Sequence, residues 1–351
     1  MEKFVIYVSG SAPYLWPTDT FFAVLWIDDK VALEVPKLYP YSGEWGEILS
    51  TQLLDSNDSP MPHRLDMVWL SIVERKFYSI EDELPVKRME ELWKQCDTVS
   101  GEPMFTHIVV GMAPYGQAAL WFRGYKKAVL LCWLQGSEIS VSMEDFMPLR
   151  PDYSLDENCD FYINNDARVK ENLVANGLPD EELFNQLMAQ YCYRVVPLFE
   201  VWDEDKEQWK KHEPDDSDIP MFDYVEMSCT DGTFDKLHDD YLISHHKSGT
   251  PERMNLFWHV KKSDWMMYVW FDAQVLSPML KRFYGAHRDT RVDLLVHCDP
   301  ERRHYELALF RYGMQQPYLL PENCYQVIVF KNQFEHYRSD NYDQPGGAWV
   351  W

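Results

Sequence analysis

Positive charge is scarce in this chain of 351 residues: 33 Lys+Arg stand against 57 Asp+Glu, a formal net charge of -24. A field of that sign repels phosphate backbones and anionic lipid surfaces, so nucleic-acid and membrane docking are not expected and basic partners are favoured. Glycine is sparse, 15 residues, and none of it forms a loop followed by Lys and Ser or Thr at phosphate-cradling spacing. MAPYG at 112–116 and GGAW at 346–349 therefore read as tight turns. The seven cysteines, at 96, 132, 159, 192, 229, 298 and 324, include no pair at two-residue spacing. Such scatter argues against a disulfide framework or a zinc site and fits reduced, mostly buried thiols. Long apolar runs are missing too. The longest uncharged stretch, Phe105 to Phe122, contains His, Pro and Gln and reads as two strands and a turn, too polar to span a bilayer. At the amino terminus, Glu2 and the break at Ser9 and Gly10 leave the apolar run short of a secretory signal, so a cytoplasmic protein is expected.

Aromatic residues are plentiful, with 14 Trp, 21 Tyr and 18 Phe, which is the composition of a folded globular chain. The stretch from Pro62, PHRLDMVWLSIVERKFYSI, can be laid over TPERMNLFWHVKKSDWMMYVWF from Thr250. Arg64 then falls on Arg253, Leu65 on Met254 and Trp69 on Trp258. A helical stretch with Pro near its start follows each copy, to Trp93 and to Tyr284. Two apolar strands come next, THIVVGMAP and AALWFRGY in one copy, VDLLVHCDP and ELALFRYG in the other. A last strand closes each, KAVLLCWL and CYQVIVFK. The expected fold is therefore α+β: two tandem similar units of antiparallel sheet, each with one main helix. Their limits are 1–146 and 191–351, and a helical linker over 147–190 joins them. Within that linker, NNDARVKENLVANG opens on a capping Asn or Asp and ends at Gly177, and PDEELFNQLMAQY carries acids in its first turn. Apolar residues on both faces of many strands predict sheets covered on both sides.

Candidates for chemistry are few. His245 and His246, with Asp239 and Asp240 before them, are the nearest approach to a metal or hydrolase site, but adjacent histidines on a strand point to opposite faces. His259, His297 and His304 fall in predicted strands and read as satisfied or surface histidines. Cys132 and Cys298 lie in apolar strands, where burial raises a thiol's pKa and lowers its reactivity. DDSD at 215–218 lacks the central Gly and closing Glu of a calcium loop. No catalytic residue, metal site or cofactor is expected from these patterns.

Two segments have the composition of an interface. The carboxyl-terminal run ends in Trp349 and Trp351, whose burial in the protein's own core is the favoured reading. The other, VWDEDKEQWKKHEPDDSD, interleaves Trp202 and Trp209 with Asp203, Glu204, Asp205, Asp215, Asp216 and Asp218. Aromatics ringed by charge suit a partner-binding anchor with a polar rim; the competing reading is a charged hairpin whose tryptophans fold back on the sheet.

One further pattern is recognisable. Trp69, Ser71, Glu74, Phe77 and Tyr78, then Leu84 and Pro85, then Gly111, Ala113, Pro114, Gly116 and Trp121 resemble the bacterial domain of unknown function 2931 family. The resemblance covers about the first 150 residues, and the ending from Tyr325 looks like that of longer members. It implies no established activity. Many members look like lipoproteins, whereas the first cysteine here is Cys96. Some relatives sit beside type VI secretion or polymorphic-toxin genes, which implies an immunity protein that binds and neutralises a basic toxin or effector. The alternatives are a hydrolase with a site between the units, using His245, His246, Asp239 and Asp240, and an aromatic-lined carbohydrate or peptide module.

Overall fold

The computed structural model describes residues 6–13, 15–27, 30–37, 45–48, 52–53, 60–96, 101–178, 180–211, 220–238, 245–260, 263–299, 304–331 and 335–338. The chain divides into two compact units, Met1–Phe184 and Asn185–Trp351. Mixed sheets dominate, with a minority of helix, so the α+β class holds.

In the first unit the strands are β1 (Tyr7–Ser11), β2 (Thr18–Ile27), β3 (Lys30–Glu34), β4 (Gln52–Leu53), β5 (Arg64–Ser71) and β6 (Lys76–Glu83). Helix α1 (Val86–Trp93) follows, then β7 (His107–Met112), β8 (Gln117–Arg123), β9 (Lys127–Gln135) and β10 (Ser137–Ile139). Four helices close the series: α2 (Met143–Phe146), α3 (Leu155–Asn165), α4 (Ala167–Asn176) and α5 (Glu181–Leu187). One antiparallel sheet runs β3-β2-β5-β6-β10. The strands β4-β1-β7-β8-β9 form the other layer, in which β1 and β7 are parallel. Alternation decides what meets between the layers: Leu25, Leu65, Met67 and Trp69 from one, Ile108, Val110, Leu120 and Phe122 from the other, all buried. Met89 of α1 joins them.

Of the segment read in the sequence as a linker, α3 and α4 fall in this unit, whereas α5 crosses its limit at Phe184. Cys159 of α3 is buried against Val68, Leu70, Ile72 and Phe77, on the outer side of the first sheet. Helix α3 starts with a capping box, Ser154 and Glu157 each bonding the other's backbone N–H. Asp166 caps α4, and Gly177, at φ +73°, ends it where a side chain would strain the backbone.

The second unit contains β11 (Tyr191–Phe199), β12 (Val201–Asp203), β13 (Gln208–Lys210), β14 (Met221–Cys229), β15 (Phe234–His238), β16 (His246–Ser248), β17 (Pro251–Val260) and β18 (Ser263–Phe271). After α6 (Ala273–Tyr284) come β19 (Val292–Asp299), β20 (His304–Arg311), β21 (Tyr318–Leu319), β22 (Tyr325–Lys331) and β23 (Glu335–Arg338). The strands β15-β14-β17-β18-β22-β23 lie side by side and antiparallel. A second sheet runs β16-β11-β19-β20-β21, with β11 and β19 parallel. The core between them holds Trp258, Met267 and Val269 with Val195, Leu294 and Leu307. Leu276, Leu280 and Tyr284 of α6 pack into it.

Two sequence expectations shift in detail. Pro278 does not start α6: the helix begins at Ala273, where Asp272 accepts from the N–H groups of Gln274 and Val275. The two strands overlaid as the closing element also occupy different places, since β9 pairs with β8 whereas β22 pairs with β18.

Candidate functional site

The acidic tryptophan segment forms the β12–β13 hairpin, with Trp202 directly opposite Trp209. In β19 and β20, His297 faces Glu306 and Asp299 faces His304, on the side away from buried Val296 and Cys298. The hairpin lies on those residues. The Trp202 ring stacks on His304 at 3.8 Å and 15°, and Trp209 stacks on His297 at 5.1 Å. Trp209 Nε1 donates to Glu306, and the Trp202 N–H donates to Asp299 Oδ2 at 2.8 Å. His297 Nδ1 sits 2.8 Å from Glu200, and His304 Nε2 is 3.5 Å from Glu306. Both indoles are thus packed on the protein's own histidines, and each of these histidines has a carboxylate beside it.

What the hairpin leaves to solvent is its tip. Glu204, Asp205 and Glu207 are exposed, while Asp203 is half-buried and 3.7 Å from Lys206. Glu207 turns the chain at φ 50°. Asp215, Asp216 and Asp218 lie outside the described residues, as do Asp239, Asp240, Trp349 and Trp351.

His245 stands apart from this cluster. Its Nε2 is 3.1 Å from Asp293, whose carboxylate takes two hydrogen bonds from Arg194, at 2.7 and 3.0 Å. Burial lowers the His245 pKa, helped by the charges of Arg194 and Arg291 and opposed by Asp293. Burial alone would raise Asp293, but the Arg194 guanidinium and His245 hold its carboxyl below the usual carboxylate range. Nothing in the sequence marked this trio, because Arg194 and Asp293 become neighbours only through the parallel pairing of β11 with β19. Among the described residues no group of three or more His, Cys, Asp and Glu is placed to hold a metal ion. Burial pushes the thiols of Cys132 and Cys324 up to about 11 and that of Cys159 to about 12. Cys298, fully buried, is raised well above the usual thiol value.

In the first unit five of the motif residues, Trp69, Glu74, Tyr78, Ala113 and Gly116, meet around one turn. Tyr115 has φ 59° and ψ 24°, a left-handed conformation that a bulky side chain seldom takes. Side chains grip both of its peptide groups: its N–H donates to Glu74 Oε2 at 2.9 Å, and its carbonyl accepts from Gln135 Nε2 at 2.7 Å. Glu74 also accepts from the Tyr78 hydroxyl at 3.0 Å. Burial and then the Glu74 charge raise the Tyr78 pKa. Trp69 Nε1 donates to the Ala113 carbonyl at 3.2 Å, and the Gly136 N–H donates to Gly116 at 2.7 Å. Glycine is required at 111, since a Cβ there would lie 2.5 Å from Trp121 and 2.8 Å from Trp45.

A family model, described as Protein of unknown function (DUF2931), matches residues 24–179. That part of the chain belongs to this family. The match runs from inside β2 to just past α4 and takes in every motif residue from Trp69 to Trp121. Within the DUF2931 region the motif therefore corresponds to a joint between strand ends of two layers, built from Glu74, Tyr78, Tyr115, Gln135 and the flanking glycines. The β12–β13 hairpin and the His245 trio lie beyond the matched residues. No curated protein and no solved structure matches the chain.

Proposed function

We propose that the protein is a non-enzymatic interaction protein that binds a basic protein partner, and that its role is that of a cytoplasmic immunity protein neutralising a toxin by blocking it. The observation that carries this reading is the β12–β13 hairpin, whose acidic tip is exposed while its tryptophans are pinned to the sheet. Pinning matters because a preorganised tip loses little conformational entropy on binding. Glu204 and Asp205 then supply attraction, with Asp203 behind them and Asp215, Asp216 and Asp218 following in the sequence. Trp202 and Trp209 serve as its footing. The net charge of -24 steers a basic partner toward any such surface.

The same reading takes the two units as copies of one fold. In its support, β1 lies between antiparallel β4 and parallel β7, and β11 lies between antiparallel β16 and parallel β19. Trp69 and Trp258, matched by the sequence overlay, are both fully buried.

The test is a charge reversal, Glu204→Lys with Asp205→Lys and Glu207→Lys, in which association with a basic protein that co-purifies with the wild-type chain from among the products of neighbouring genes is timed at low salt. A fall in rate of about tenfold or more is expected. An unchanged rate removes the hairpin from the interface.

A second reading, an aromatic-lined module for a carbohydrate or peptide, draws on the outer face of β14, β17, β18 and β22. Tyr224 and Phe257 stack there at 4.3 Å and 20°, and Tyr268 lies 5.6 Å from Trp270, all half-buried. Saturable quenching of tryptophan fluorescence by a defined oligosaccharide, retained in the charge-reversed variant, would favour it.

A further inference from the structure

Asp19 is an acid in an apolar layer. On β2 it stands directly opposite Leu70 of β5, so the two side chains share a face, and that face is the one Cys159 of α3 covers. Only 2 % of Asp19 is exposed. Leu70 belongs to the apolar cluster against which Phe21 and Phe22 pack, and no guanidinium or ammonium is bonded to Asp19 among the described residues. Next to Cys159, Asn158 is 2 % exposed and its Nδ2 has no hydrogen-bond partner, so α3 already docks with a polar group unsatisfied. The charged and titratable groups facing this spot are Cys159 from α3, Lys37 beyond β3, and, past Cys159, Arg75 with its partners Asp156 and Asp160.

We propose that the seating of α3 on the first unit's sheet is a pH-controlled contact, with the carboxyl group of Asp19 as the element that titrates. Burial pushes that carboxyl up to about 7, against the Thr20 N–H and the Lys37 charge, which both pull it down. Lifting α3 returns Asp19 to water and to its ordinary value of 3.8. Between these two values the seated form holds a proton that the lifted form has lost. Seating therefore weakens as pH rises from about 4 to 7, by up to about tenfold per pH unit, and changes no further above 7. The second anchor is solvent-facing: Arg75 reaches Asp156 at 2.9 Å and Asp160 at 2.5 Å. It keeps α3 tethered while its apolar side loosens.

Hydrogen exchange of the α3 amides in the full chain, corrected for the intrinsic effect of pH and followed from pH 4.5 to 8.5, tests this. Wild-type protection is expected to fall between pH 4.5 and 7 and then level off. Asp19→Asn, which keeps the shape of the neutral acid, is expected to remove that fall, and Asp19→Leu to do the same should the amide not be accommodated. A flat wild-type profile overturns the proposal, as does a slope that persists unchanged in either folded variant.

Discussion

At the scale of single residues, the clearest demands come from close packing and not from charge. Gly111 lies under two indoles that meet edge to face at 4.8 Å, so any side chain there must displace Trp121 or Trp45. Trp45 cannot move freely, because Gly46 donates its N–H to Ser11 Oγ and its carbonyl accepts from Arg123. Arg123, buried, also holds Glu47 at 2.6 Å. Gly111→Ala is expected to cost about 1–3 kcal/mol, the range for overpacking a filled core, seen as a lower denaturant midpoint with an unchanged slope. Wild-type stability in that variant would mean that the indoles repack at no cost. The sequence shows Gly111 as a motif residue, yet it cannot show why. The clash involves Trp45, 66 positions away and in a segment with no periodicity to mark it.

At the scale of elements, the β12–β13 hairpin is short and makes few ladder bonds, so its order must come from what its side chains rest on. Trp202 and Trp209 supply that footing through His304, His297 and Glu306. Trp209→Ala removes an aromatic contact and a charge-assisted hydrogen bond, together worth about 1.5–3 kcal/mol. Exchange of the hairpin amides should accelerate roughly tenfold to a hundredfold while the β19–β20 core keeps its protection. Acceleration in both together would show that the hairpin belongs to the core instead of resting on it. Helices and strands were largely legible here. Alternation marked β5 and β17, and Asp166 with Gly177 bounded α4. Helix α3 has its Ser154-to-Glu157 capping box written in the sequence but shows no clear apolar period, because its apolar residues face one narrow strip of sheet. Contacts that depend on strand pairing, such as Arg194 with Asp293, had no local signal at all.

For the molecule as a whole, composition sets the behaviour that structure then localises. A net charge of -24 acts over about a Debye length, some 8–10 Å at ordinary ionic strength, so it governs how fast a partner arrives more than how tightly it is held. His297 and His304 are stacked under indoles and lie beside carboxylates, and burial raises the thiol pKa of Cys132, Cys159 and Cys324. Acting by association is the central proposal, and the rate at which the purified protein captures a basic protein partner, taken first from the products of the genes neighbouring its own and followed across ionic strength by stopped-flow, tests it most directly. The account predicts a one-to-one complex whose association rate falls about tenfold or more between 20 and 200 mM salt while dissociation changes little. No complex at any ionic strength, or turnover of a substrate by the purified protein alone, would contradict it.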